Sequence, residues 1–197
     1  EPSTKISSQD ISRLLSALGE EAVQRKFFKE YLADHAGSQN NVIIDATSLP
    51  SNSSSAFNSW GYNDGGIDTQ FRFHLVVDQN TKKPLFYRLV PGNIADVSTL
   101  GTTMAELRAL GVASSFALLD AGFCSEDNIK LLREHKIDFL TRLPASRIPY
   151  KEAIAECGSD LEQLSNACIY GKRSLFVKTI EKDLYGKITY FYIILDP

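Results

Sequence analysis

Two short apolar runs in this chain each lead into an aspartate. Val42-Ile43-Ile44 precedes Asp45, and Ser115-Phe116-Ala117-Leu118-Leu119 precedes Asp120. Runs of this length, rich in β-branched and aromatic residues, read as central strands buried in a sheet. Between them, Phe71–Asp78 and Pro84–Val90 flank a polar turn and read as a hairpin. Its first strand has mostly one apolar face, as Phe71, Phe73, Leu75 and Val77 alternate with Arg72, His74, Val76 and Asp78. Leu100, Met104, Leu107 and Leu110 then recur at helical spacing until Gly111. Ser125 opens a further helix, and Ile137–Thr141 reads as another strand. Strand, hairpin, helix, strand, helix, strand is the order of an α/β mixed sheet flanked by helices, with its parallel strands joined by helical crossovers.

The flanks read differently. Ser7-Ser8-Gln9-Asp10 starts a helix carrying Ile11, Leu14, Leu15 and Leu18 up to Gly19; a second runs from Glu20 to Leu32 and ends near Gly37. Ser51–Asp68, rich in Ser, Asn and Gly, reads as a long loop in which Trp60 and Tyr62 read as anchors holding it down rather than as rings that stack on a base. Ile148–Leu164 is weakly helical, and Cys168–Ile180 and Lys187–Leu195 read as two strands of a β-rich layer. The expected division is a helical segment 1–39, an α/β core 40–145 and a β-rich portion 146–197. Glu1 is not a natural start residue, so the chain reads as a piece of a longer protein.

Composition narrows the class. With 43% hydrophobic and 23% charged residues over 197 positions, the chain can bury a sizeable core. Its apolar runs are too short to cross a bilayer, so no membrane partner is expected. Cys124, Cys157 and Cys168 lack paired spacing and read as free thiols, which points to the cytoplasm. The net charge of −3 means that any DNA contact must come from a local basic stripe or from surface outside these residues.

An aspartate after one strand commonly caps the next turn. Two on neighbouring strands converge at the carboxyl edge, where α/β sheets bind ligands. Converging carboxylates repel, so one takes up a proton or both share a cation, and hard divalent ions take carboxylate oxygens together with substrate phosphates. Such a site can clamp a phosphodiester and activate a water or a 3′-hydroxyl.

The surrounding sequence resembles the DDE-class insertion-sequence transposases of bacteria. The matching pieces are Ile44-Asp45-Ala46-Thr47-Ser48, Phe73-His74-Leu75-Val76-Val77-Asp78, Pro91-Gly92-Asn93-Ile94-Ala95-Asp96, Leu119-Asp120-Ala121-Gly122-Phe123-Cys124-Ser125-Glu126 and Phe139-Leu140-Thr141-Arg142-Leu143. They stand in the family's order across about residues 40–145. The resemblance implies an RNase H-like fold with the start of a β-rich insertion after the second aspartate. It implies Asp45 and Asp120 as catalytic metal ligands for Mg2+ or Mn2+, and double-stranded DNA, transposon ends and target, as partner. It also implies a homodimer in the active complex. The chemistry it implies is attack by water first, followed by attack of the freed 3′-hydroxyl on target DNA. The family's third acidic residue, a glutamate after the insertion, has no match: Tyr170 and Arg173 have the right spacing, but Val177 stands at the glutamate position. The 197 residues alone are therefore expected to be inactive. The rival reading is a non-catalytic transposase remnant acting only in binding or assembly. A phosphatase forming an aspartyl-phosphate on Asp45 ranks below both, because position 47 is Thr where that chemistry commonly uses a second Asp.

Asp96 reads as a helix cap and Asn93 as a turn residue. His74 reads as a sheet-face residue rather than a ligand. Arg72, Lys82, Lys83, Arg88 and Arg142 are candidates for phosphate contact as much as ordinary solvated charges. Ser48 and Ser53–Ser55 lack the elbow and placed histidine of a serine hydrolase.

Overall fold

A computed structural model describes residues 6–35, 40–63, 66–158 and 160–197. Helix α1 (Ser8–Leu18) begins with a reciprocal cap: Ser7 Oγ accepts from Asp10 N, and the Asp10 carboxylate accepts from Ser7 N at 3.1 Å. Helix α2 (Glu21–His35) follows, and its expected end near Gly37 lies outside the described residues.

Strands β1 (Asn40–Pro50), β2 (Ser59–Asn63), β3 (Gly66–Asp78), β4 (Pro84–Pro91), β5 (Ser114–Leu119) and β6 (Asp138–Thr141) form one sheet. Its order is β2-β3-β1-β5-β6, with β4 also paired to β3. β1 runs antiparallel to β3 and parallel to β5, which is parallel to β6. Helices α3 (Leu100–Ala109) and α4 (Glu126–Glu134) make the crossovers. The order β4-β3-β1-β5-β6, with a hairpin on one side of β1 and parallel strands on the other, is the RNase H-like arrangement.

The two faces of this sheet differ. Val42, Ile44, Val76, Ala117 and Leu119 pack with Leu32 of α2, with Leu100 and Leu107 of α3 and with Leu132 of α4. Side chains alternate along a strand, so Ile43, Asp45, Leu118 and Asp120 point the other way. There Leu140 is 49% exposed, and the open face lines a groove of about 1120 Å³ bordered by α5 (Ile148–Cys157) and by the second sheet.

That second sheet has three strands where two were expected, β7 (Ala167–Tyr170), β8 (Arg173–Asp183) and β9 (Ile188–Leu195). Gly171, at φ +63°, turns the chain between β7 and β8 and splits the expected long strand. The sheet is tied to the core by Arg133 of α4. Its guanidinium donates to Leu184 O at 2.7 Å and to Thr189 Oγ1 at 2.7 Å, while Leu184 packs on Cys124 and Ile129.

Three local expectations change. The polar stretch 51–68 is not one long loop, because Ser59–Asn63 pairs with Gly66–Gln70 as a hairpin. Trp60 and Tyr62 are 67% and 70% exposed on its first strand, so they do not anchor it. On β3 the apolar alternates Phe71, Phe73, Leu75 and Val77 are only half-buried, whereas Gln70, His74, Val76 and Asp78 are buried. Polar groups can occupy the covered face because they have partners there: Asp78 Oδ1 accepts from Thr81 N and Asn80 N, for instance.

Candidate active site

Asp45 does not end its strand. β1 continues to Pro50 because Leu49 and Pro50 still find partners in Phe71 and Gln70 of β3. What ends at Ile44 is the parallel pairing with β5, whose last register is Ile44 opposite Leu119. Asp45 and Asp120 are the next residues on the two neighbouring strands, and both line the open groove. The only hydrogen bond the Asp45 carboxylate makes among the described residues is with Ala46 N, at 2.8 Å. Asp120 precedes a short 3-10 turn, Ala121–Phe123, without capping it through its side chain. Neither carboxylate has an ion-pair partner among the described residues.

One strand further on, Thr141 is opposite Leu119, so Arg142 is the next residue in the row Asp45, Asp120, Arg142. Thr141 Oγ1 donates to Asp120 O at 3.4 Å, tying the two edges together. Arg142 is exposed, lines the groove and forms no ion pair among the described residues. Arg72 and Arg88 are different: they are engaged on the covered face by Asp96 and Glu106.

Asp96 was expected to cap a helix and does not. It begins a 3-10 turn, Asp96–Ser98, and its side chain makes no cap bond. Its Oδ2 accepts from Arg72 at 2.7 Å, and its Oδ1 lies 3.1 Å from His74 Nε2. His74 Nδ1 is 3.2 Å from Thr99 Oγ1, which donates to Asp96 O at 2.7 Å. Burial raises the Asp96 carboxyl, but the bonds from His74 and Arg72 outweigh it and hold it below the ordinary aspartate value. Nothing in the spacing of positions 72, 74, 96 and 99 signals this cluster, since its members come from two elements brought together by the crossover. His74 is a sheet-face residue, as expected, and it stands on the covered side.

Residues 37–183 match the family described as the transposase DDE domain. The chain belongs to that family. Solved structures with low identity include a piggyBac transposase synaptic complex with hairpin DNA, at 15% identity and TM-score 0.48, covering 94% of this chain and 40% of that one. The catalytic core domain of BIV integrase has 13% identity and TM-score 0.37, covering 64% of this chain and 68% of that one. A Mos1 mariner paired-end complex with Mn has 15% identity and TM-score 0.36, covering 78% and 57%. The chain spans 40% of the piggyBac transposase's length. No curated protein matches it.

Transposases of the DDE class act on DNA phosphodiesters and generally use divalent metals. In this transposase domain the donor set suits such an ion: two carboxylates, adjacent by register and without cationic partners, offer hard oxygens. Among the described residues no cluster of three or more His, Cys, Asp or Glu is placed to hold a metal. The three cysteines are free, with Cys124 and Cys157 buried and Cys168 exposed. No helix among the described residues is long and apolar enough to cross a membrane.

Proposed function

We propose that this chain is part of the catalytic domain of a DNA transposase, in which Asp45 and Asp120 hold Mg2+ or Mn2+ for strand cleavage and strand transfer at transposon ends. The observation that carries the reading is the Ile44–Leu119 register, which sets two unpartnered aspartates side by side on the open face. Family membership supports it independently. Bound there, the metal would polarise the scissile phosphate and activate the attacking oxygen. The chain's own part is to hold the carboxylates at the groove and to offer Arg142 to the DNA backbone beside them. On this reading a third acidic ligand, without a match among these 197 residues, completes the site. Segment 1–39 is a helical preface, 40–145 the catalytic core and 146–197 the start of the insertion, with a homodimer as the active complex in a bacterial cytoplasm.

The test is cleavage of transposon-end DNA by the full-length protein. Asp45→Asn and Asp120→Asn are each expected to lower the rate by about 10³-fold, since a metal's charge stabilisation is worth several kcal/mol. Cleavage at the wild-type rate by either variant would remove both residues from the site. A full-length wild type that binds ends without cutting them would favour the non-catalytic remnant.

A further inference from the structure

The buried cluster around Asp96 lies directly beneath the turn that carries Asp120 out of β5. A Cβ on Gly122 would sit 3.1 Å from Asp96 Oδ2, tighter than side-chain contacts ordinarily come, so the carboxylate and the turn are in van der Waals register. His74 stands edge-on to Phe123, with ring centroids 5.8 Å apart. Asn128 completes the attachment: its Nδ2 donates to Val97 O at 2.8 Å and to Phe123 O at 2.8 Å, joining the Asp96 turn to the Asp120 turn. The Asp120 turn is thus gripped at Gly122 and Phe123 by groups that do not themselves reach the open face.

Asp96 cannot serve as a ligand while its two oxygens are engaged by Arg72 and His74. Its charge is matched by Arg72, and its orientation is set from both sides. A carboxylate so fixed makes a rigid stop for the backbone at Gly122. We propose that Asp96 is a positioning residue for Asp120, acting through Gly122 and Phe123 to set where the second carboxylate stands at the groove. This rests on the reading of Asp120 as a metal ligand. It also bears on Gly122: φ there is not left-handed, and a Cβ would press on the Asp96 oxygen, which would have to give by a few tenths of an ångström.

The experiment uses the 197-residue chain with Mn2+ alone, bound ion being read by its electron paramagnetic resonance. Wild type is compared with Asp120→Asn, Asp96→Asn, Gly122→Ala and the Asp96→Asn/Gly122→Ala double variant. A second readout is amide hydrogen exchange without metal at Phe123 and Cys124, whose N–H groups bond Asp120 O and Ala121 O at 3.1 Å each. Asp120→Asn is expected to remove Mn2+ binding. Asp96→Asn and Gly122→Ala should each weaken it about tenfold, the scale of lost outer-shell support. The double variant should be no weaker than the worse single one, because both act through one contact. Phe123 and Cys124 should exchange faster in both single variants, while amides of β1 and β5 keep their protection. A merely structural Asp96 would leave Mn2+ affinity intact whatever it did to exchange, and that result, with Asp120→Asn defective, overturns the inference. If Asp120→Asn binds Mn2+ like wild type, or wild type binds none, the metal reading finds no support in this chain. Exchange then decides alone: faster exchange confined to residues 121–124 upholds the positioning contact, and unchanged exchange refutes it.

Discussion

The central sheet presents carboxylates on both sides, and they live under opposite rules. Asp96, on the helix-covered side, is bound by Arg72 and His74 and is held ionised by them. Asp45 and Asp120, on the open side, have no cationic partner among the described residues. A buried carboxylate without partners would be strongly destabilising, so the covered face accepts only committed ones. An exposed carboxylate is solvated and stays free to meet a ligand. Commitment to partners therefore separates the structural aspartates from the candidate functional ones better than closeness to the sheet's edge does.

The contrast between the faces predicts a hierarchy. Leu107 is fully buried under the covered face, so Leu107→Ala should cost about 3 kcal/mol in denaturant unfolding, within the usual range for emptied core sites. Leu140→Ala on the open face should cost under about 1 kcal/mol, since half of that side chain already meets water. Equal losses would mean that the open face is core.

Removing Asp96 tests commitment itself. Arg72 and Asp96 are 20% and 16% exposed, so Asp96→Ala should cost about 2 kcal/mol, less than a fully buried pair because solvent still screens it. The sign with pH follows. Asp96 and Asp78 both have carboxyls lowered from 3.8 in the fold, Asp78 chiefly by the Thr81 backbone bond. Their stabilisation is complete above that unfolded value and is lost as pH falls below it. The thermal midpoint should stay flat from neutral pH down to about 5 and drop below about 4, less steeply in Asp96→Asn. A wild type insensitive to acid would break the assignment.

Smaller still, Asp45→Asn and Asp120→Asn should change stability by no more than about 0.5 kcal/mol, and any change should be a gain, because two like charges are separated. A large loss in either would mean that the carboxylate has a structural partner after all. Smallest of all is Trp60→Ala on the exposed strand β2, which should lie within about 0.5 kcal/mol of wild type. A larger loss would restore Trp60 as an anchor.

Much of the fold is legible along the chain. Apolar runs at Val42–Ile44 and Ser115–Leu119, the Leu100–Leu107 period and the Ser125 cap mark elements whose causes are local. The candidate pair is legible as well, because each aspartate follows such a run. Less legible is the β2–β3 hairpin, where Trp60, Tyr62 and Ile67 sit in a polar stretch, and the cut at Gly171 within an apolar one.

On β3 the pattern misleads outright. Alternation told which residues share a face, but not which face the helices would cover. Hydrophobicity favours burying Phe71, Phe73, Leu75 and Val77, yet the chain buries His74 and Gln70. By itself the sequence determined the core strands β1, β3, β4, β5 and β6, the crossover helices and the candidate aspartates at the ends of apolar runs, since these depend on neighbours a few residues apart. Only the tertiary structure decided that Asp45 and Asp120 share one register and that Asp96 belongs to Arg72 and His74. Those facts depend on groups 22 to 24 residues apart, and for the pair on opposite sides of a crossover, meeting across the sheet. No local propensity records whether a buried polar group will find its partner.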